Sequence, residues 1–187
     1  MEWNILFMGP VGAGKTQAIR SISDIEVVNT DELATDETSL MKSHTTVSMD
    51  VGAIHLVGTD KVRLYGAPGQ DRFDFMWDIL LEQAKGVVLV LNHSNPDPVA
   101  DLDHYLKALE ERLLSRRLPM VIGVTHTDVE RKQPLDRYVS HLNQRGCQVS
   151  GQVPPVLEMD ARNSKHVRAA LIAMTAQLEM AERFRKN

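Results

Sequence analysis

An α/β fold, with a six-stranded and mostly parallel sheet between layers of helix, is what this sequence predicts, and three observations carry that expectation. Short β-type runs alternate with longer helical patterns from end to end, the signature of βα units wound around a parallel sheet. A glycine-rich turn, Gly9-Pro10-Val11-Gly12-Ala13-Gly14-Lys15-Thr16, separates the first apolar run from the first helical one. The composition, 187 residues with 43% hydrophobic and 25% charged, is that of an ordinary globular chain able to bury one sizeable core. The expected architecture is a three-layer αβα sandwich with about five helices, residues 1–187 forming one domain.

The first strand covers about residues 3–8, and a helix opens near Gly14. Residues 23–45 are rich in Asp, Glu, Thr and Ser and lack periodicity, so they read as a loop with Leu33 and Leu40 as local anchors. A loop of that length in a compact fold is usually functional. Two strands come next, at about 46–57 and 61–65, and the intervening Gly58-Thr59-Asp60 suits a tight antiparallel hairpin. From Asp71 the pattern becomes helical, placing Phe73, Trp77, Leu80 and Ala84 on one face and Phe75 and Ile79 on nearly the opposite one. Residues 86–91 form a buried strand, and the next helix turns Val99, Leu102, Leu106, Leu109 and Leu113 inward. A strand at 120–124 after Pro119, a helix near 135–144, a strand near 155–159 and a last helix with Val167, Leu171, Met174 and Leu178 facing inward complete the chain.

A net charge of −4 gives no electrostatic reason to expect nucleic acid. The nearest approach to a basic stripe is Arg112, Arg116 and Arg117, late in a helix, where cations also suit the helix dipole. The lone Cys147 excludes an internal disulfide and, with no His/Cys cluster beside it, a structural zinc site. The expected compartment is the reducing cytoplasm. No apolar run is long enough to span a bilayer, and neither Glu2 nor the Phe184-Arg185-Lys186-Asn187 end encodes a lipid anchor, so membrane recruitment is expected only through a partner.

The turn at Gly9 to Thr16 satisfies the P-loop pattern GxxxxGK[ST] without a gap, in the strand-then-helix context where that motif works. Gly9, Gly12 and Gly14 let the backbone wrap a phosphate, with Val11 and Ala13 between them. The amides and the helix N-terminus supply positive charge. Lys15 reaches the β- and γ-phosphates, the Thr16 hydroxyl ligates Mg²⁺, and Gln17 comes next at the nucleotide-facing end of the helix.

Downstream, Thr46-Val47-Ser48-Met49-Asp50-Val51 precedes the hairpin, and Tyr65-Gly66-Ala67-Pro68-Gly69-Gln70-Asp71-Arg72-Phe73 closes it. On these residues and the P-loop the chain resembles the Ras-like GTPases. That resemblance implies a GTP/GDP switch with Mg²⁺, in which Thr46 (or Thr45) ligates the metal and senses the γ-phosphate. Gly69 senses it from the second switch, and Gln70 orients the attacking water. The run Pro68 to Phe73, continued by Phe75-Met76-Trp77-Asp78, looks like bacterial GTPases of the MglA type and those found with roadblock-type partners.

Two positions depart from the Ras pattern. Gly66 replaces the DxxG aspartate, leaving Thr16, Thr46, phosphates and waters as the Mg²⁺ ligands with Asp50, nearby in sequence, as a further contributor, and Val11 replaces a glycine beside the γ-phosphate. The guanine-reading Asn-Lys-x-Asp motif corresponds to Thr125-His126-Thr127-Asp128. The resemblance gives Asp128 the guanine N1 and N2, His126 a covering role, and Thr125 part of an asparagine's hydrogen bonding. Asp160-Ala161-Arg162 resembles the Ser-Ala-Lys loop, bringing Ala161 and Arg162 to the base. The function implied is a switch with slow, partner-stimulated hydrolysis. Phe75 and Ile79 would be offered to a regulatory protein such as a roadblock-type dimer. A P-loop phosphotransferase or ATPase and a non-hydrolysing nucleotide-binding adaptor are the alternatives.

Overall fold

A computed structural model describes residues 2–29, 49–56, 58–113, 116–131, 133–146 and 152–185. The expected contributions of Leu33, Leu40, Thr45, Thr46 and Cys147 lie outside these residues.

Strand β1 (Glu2–Met8) runs into the P-loop, and helix α1 (Lys15–Ile22) leaves it. A two-residue strand β2 (Val28–Asn29) precedes the hairpin of β3 (Asp50–His55) and β4 (Lys61–Gly66). A 3₁₀ turn at Asp71–Phe73 leads into α2 (Phe75–Gln83), followed by β5 (Gly86–Asn92), α3 (Pro98–Leu113), β6 (Met120–Thr125), α4 (Asp136–Arg145), β7 (Val156–Glu158) and α5 (Ser164–Arg185). The strands form one sheet in the order β2-β3-β4-β1-β5-β6-β7. β3 is antiparallel to β2 and β4, and the remaining pairs are parallel.

The sheet is sandwiched because its strands are apolar on both faces. Along β1, Leu6 and Met8 point into a cluster shared with Trp77, Leu81, Leu102, Leu106, Leu109, Tyr138 and Leu142 of α2, α3 and α4. Ile5 and Phe7 point the other way, against Ala18, Ile19 and Ile22 of α1 and Val167, Ala170 and Met174 of α5. Buried Gln177 on α5 bonds both the amide and the carbonyl of Met120, at 3.3 and 3.0 Å, and so pins α5 to the start of β6.

The six strands and five helices expected from the sequence are present, with two corrections. Val28–Asn29, expected as loop, adds a seventh strand at the sheet edge by pairing with Val51 and Asp50; two residues are too few to carry a period-2 signal. In the helix expected from Asp71, the 3₁₀ turn shifts the phase of the α-helical residues after it. Trp77, Leu81 and Ala84 are therefore the fully buried residues, and Leu80 is only partly covered. Phe75 and Ile79 are 52% and 54% exposed, on the face opposite that core.

Candidate functional site

The P-loop is shaped by its glycines. Gly9, Gly12 and Gly14 all have positive φ. At Gly9 (φ 139°) an added Cβ would lie 2.0 Å from the Val90 carbonyl oxygen, so the loop can pass this close to β5 only without a side chain. Lys15 opens α1 and is buried; its Nζ donates to the carbonyls of Gly9 and Pro10 at 2.7 and 2.8 Å. Burial lowers its pKa to about 8, against an opposing pull from the Asp50 charge. Ala13 is buried beneath the loop, whereas Val11, Gly12 and Gln17 lie on its exposed side.

The segment after β4, at Gly69, lies directly on the P-loop. A Cβ at Gly69 would come within 2.7 Å of the Val11 amide nitrogen, 2.8 Å of the Gly9 carbonyl oxygen and 2.8 Å of Lys15 Nζ. The segment is held there by two aromatic donors that sequence reasoning assigned only to the core or not at all. Trp77 Nε1 donates to the Pro68 carbonyl at 3.0 Å, and the Tyr105 hydroxyl to the Gly69 carbonyl at 3.3 Å. Their rings sit 5.3 Å apart. Gln70 is exposed on the next step of the loop.

Beside Lys15, the Thr16 hydroxyl donates to Asp50 Oδ2 at 2.5 Å, and the second oxygen of that buried carboxylate, Oδ1, has no hydrogen-bond partner. A hydroxyl next to a carboxylate is the all-oxygen donor set that Mg²⁺ takes, so these residues fit that ion. Among the described residues no cluster of three or more His, Cys, Asp or Glu is arranged to hold a metal by itself. Mg²⁺ commonly completes its shell with phosphates and waters.

From the loop, a cleft of about 670 Å³ opens between the β6–α4 and β7–α5 connections, lined among others by Gly14, Gln17, His126, Asp128, Ala161 and Arg162. The base-site candidates thus converge at one end of the phosphate loop. Buried Thr125 works underneath. Its hydroxyl lies 2.8 Å from the Ala13 carbonyl and 3.0 Å from that of Leu91, tying the P-loop to the end of β5. Its one proton is committed to those carbonyls, so the 2.8 Å contact to His126 Nδ1 has the imidazole N–H donating. His126 has φ 58°, the one non-glycine residue with positive φ among those described.

Arg162 donates to Asp128 Oδ2 at 3.2 Å and to both oxygens of Asp160 at 2.9 and 3.0 Å. Hydrogen bonding to Arg162 holds the Asp160 carboxyl down to about 2, and Asp160 in turn raises the Arg162 guanidinium. Deeper in the cleft wall, His93 Nε2 faces the Gln133 carbonyl at 3.1 Å, which leaves Nδ1 to accept the Tyr138 hydroxyl at 2.8 Å. Sequence reasoning missed His93: a lone histidine at a strand end carries no motif.

A family described as conserved hypothetical ATP binding protein matches residues 25–181. The chain belongs to that family. The match covers β2 to β7 and most of α5, and it begins after the P-loop and α1. No curated protein sequence matches the chain. Membership of this family, with the P-loop between β1 and α1, puts the chain in the P-loop nucleotide-binding class. No helix among the described residues is long and apolar enough to cross a membrane.

Proposed function

We propose that the chain is a Ras-like GTP/GDP switch, of the bacterial MglA-type and roadblock-associated kind, that hydrolyses GTP slowly and depends on a partner for speed. The observation that carries this reading is the cleft beyond Gly14, where Asp128 faces the loop containing Ala161 and Arg162. A carboxylate there accepts from guanine N1 and N2, a donor pair adenine lacks, and Arg162 holds one of its oxygens. Gly9, Val11, Gly12, Ala13 and Gly14 wrap the phosphates, Lys15 neutralises them, and Gln17 and His126 flank the nucleoside. Thr46 and Gly69 sense the γ-phosphate, and Gln70 orients the attacking water. In this reading Mg²⁺ would be held by Thr16 and Thr46 and would supply charge neutralisation at the phosphates. Phe75 and Ile79 are the surface offered to a roadblock-type dimer, and the protein works in the cytoplasm, reaching membranes only through such a partner.

The rival is an ATP-binding protein on the same P-loop, favoured by the description of the family. Calorimetry with GDP, GTP, ADP and ATP separates them. The guanine nucleotides bind tighter, and Asp128→Ala erodes that preference by about 10- to 150-fold, the equivalent of a charge-assisted hydrogen bond worth about 1.5–3 kcal/mol. Lys15→Ala abolishes binding of all four. ATP binding as tight as GTP in the unmutated chain overturns the guanine reading and leaves the ATP-binding one.

A further inference from the structure

We infer that the base cleft reads a purine from one edge only: no side chain of its floor donates to N7, so nucleotides altered at position 7 bind as well as their parents. The inference rests on the reading of this cleft as the base site. It applies to either purine, because adenine and guanine share the N7 acceptor.

Thr125 heads the segment that stands where the Ras pattern has Asn-Lys-x-Asp, and it lines the cleft. An asparagine there has two amide N–H donors and can serve a backbone carbonyl and a base acceptor together, whereas a threonine has one proton. Thr125 is 2% exposed, and its hydroxyl lies 2.8 Å from the Ala13 carbonyl and 3.0 Å from that of Leu91. Turning the proton to a ligand would withdraw a donor from these buried carbonyls, at a cost comparable with the bond gained. What Thr125 shows to Gly14 is carbon. A Cβ added at Gly14 would lie 3.9 Å from Thr125 Cγ2 and 3.1 Å from Ala161 Cβ. The floor of the cleft between these three residues is therefore apolar.

The neighbouring donors are engaged elsewhere. His126 spends its Nδ1–H on the Thr125 oxygen at 2.8 Å, which leaves a lone pair on Nε2, and a lone pair cannot receive N7. Arg162 is directed at Asp128 and Asp160. Discrimination between bases then falls on the N1–N2 edge, where the Asp128 carboxylate accepts. A purine seated here brings N7 to a surface without a donor, so replacing N7 by C–H removes a desolvation cost and breaks no bond.

Calorimetry compares GDP with 7-deaza-GDP and ADP with 7-deaza-ADP, the members of each pair differing only at position 7. In the wild-type chain the deaza nucleotide binds within about twofold of its parent or more tightly, short of the loss that a broken neutral hydrogen bond gives. Thr125→Asn supplies the missing amide, and the parent then gains about 2- to 12-fold over the deaza form. Thr125→Val keeps the methyl and removes the tie between Ala13 and Leu91, so both members of a pair weaken together and their ratio stays. The wild-type and Thr125→Val ratios also cover a Thr125→Asn chain that does not fold. Three results overturn the inference while nucleotide binding stands: a wild-type preference for the parent beyond about twofold, a ratio that moves in Thr125→Val, or no parent preference in a folded Thr125→Asn. If ADP outbinds GDP, the guanine reading fails and the adenine pair still decides this inference. A chain that binds none of the four overturns the base-site reading and the inference together.

Discussion

Lys15 in the free protein spends its charge on its own loop. The ammonium caps the carbonyls of Gly9 and Pro10, and burial brings its pKa from 10.5 to about 8. A phosphate facing it favours the charged form and raises that pKa, so nucleotide binding above pH 8 takes up a proton. Affinity is then flat below about pH 8 and falls above it by up to about tenfold per pH unit. Calorimetry in EDTA, in buffers of different ionisation enthalpy at pH 7 and pH 9, measures the uptake directly. In Lys15→Arg, whose guanidinium does not titrate, the uptake vanishes. The folding linkage has the opposite sign. Between about pH 8 and 10.5 the unfolded chain keeps a proton that folded Lys15 has lost, so the stability of the free protein rises with pH across that window. A binding affinity independent of pH between 7 and 9 would show that Lys15 does not meet the phosphates. Lys15 was legible in the sequence because its role comes from a contiguous motif whose geometry the glycines dictate. Asp50 was legible only as a neighbour in sequence, because its placement depends on which residue faces it from another strand.

That register is an element-scale property, and it shows where sequence reading stops. A tight turn on Gly58-Thr59-Asp60 would bring residues 57 and 61 face to face, whereas the structure pairs His55 with Lys61 and closes the loop with the Leu56 amide on the Asp60 carbonyl, at 2.8 Å. A slip of two residues keeps every side chain on its expected face, so the hydrophobic pattern cannot detect it. It decides, however, that Asp50 meets Gly66. Helix α2 gives a second case. Its C-terminal carbonyls are received by Arg116, which donates to Leu81, Glu82 and Ala84 at 2.7, 3.0 and 2.5 Å. Arg112 pairs with Asp74 at 2.7 Å and lies over the Trp77 ring. Two arginines of the apparent basic stripe thus clamp α2, Arg116 at its C-terminus, the favourable place for a cation, and Arg112 at its start through Asp74 and Asp78. Arg116→Ala should destabilise the fold by about 1–2 kcal/mol, less than the upper range for ionic hydrogen bonds because the side chain is exposed. Urea unfolding tests this as a lower midpoint at unchanged slope. Hydrogen exchange should quicken first in α2. A midpoint equal to wild type would leave the α2 terminus without need of its cap.

At the scale of the whole molecule, α2 joins the phosphate loop to the outer surface. Trp77 on its buried side holds the Pro68 carbonyl, Gly69 touches the P-loop, and Phe75 and Ile79 emerge on the opposite side, each more than half exposed. A shift of Gly69 toward a γ-phosphate therefore pulls on the same short helix that presents these two side chains. This coupling is the physical content of the switch proposal: a ligand moves the equilibrium only if it contacts the two states differently, and Gly69 is placed to make that difference. Phe75 and Ile79 contribute little to the core, so Phe75→Ala/Ile79→Ala should change stability by no more than about 0.5 kcal/mol and leave GTP and GDP affinities unchanged. If they anchor a roadblock-type dimer, the double variant loses at least about tenfold in affinity for the purified dimer, because buried aromatic and aliphatic anchors dominate such contacts. That loss should appear with a non-hydrolysable GTP analogue bound and be small with GDP, since the GDP complex presents the pair less favourably. Titration calorimetry on the four combinations of variant and nucleotide decides the matter. Equal dimer affinity for wild type and double variant in the GTP-analogue state removes Phe75 and Ile79 from the interface. An equal loss in both nucleotide states keeps them at the interface but removes the nucleotide from its control.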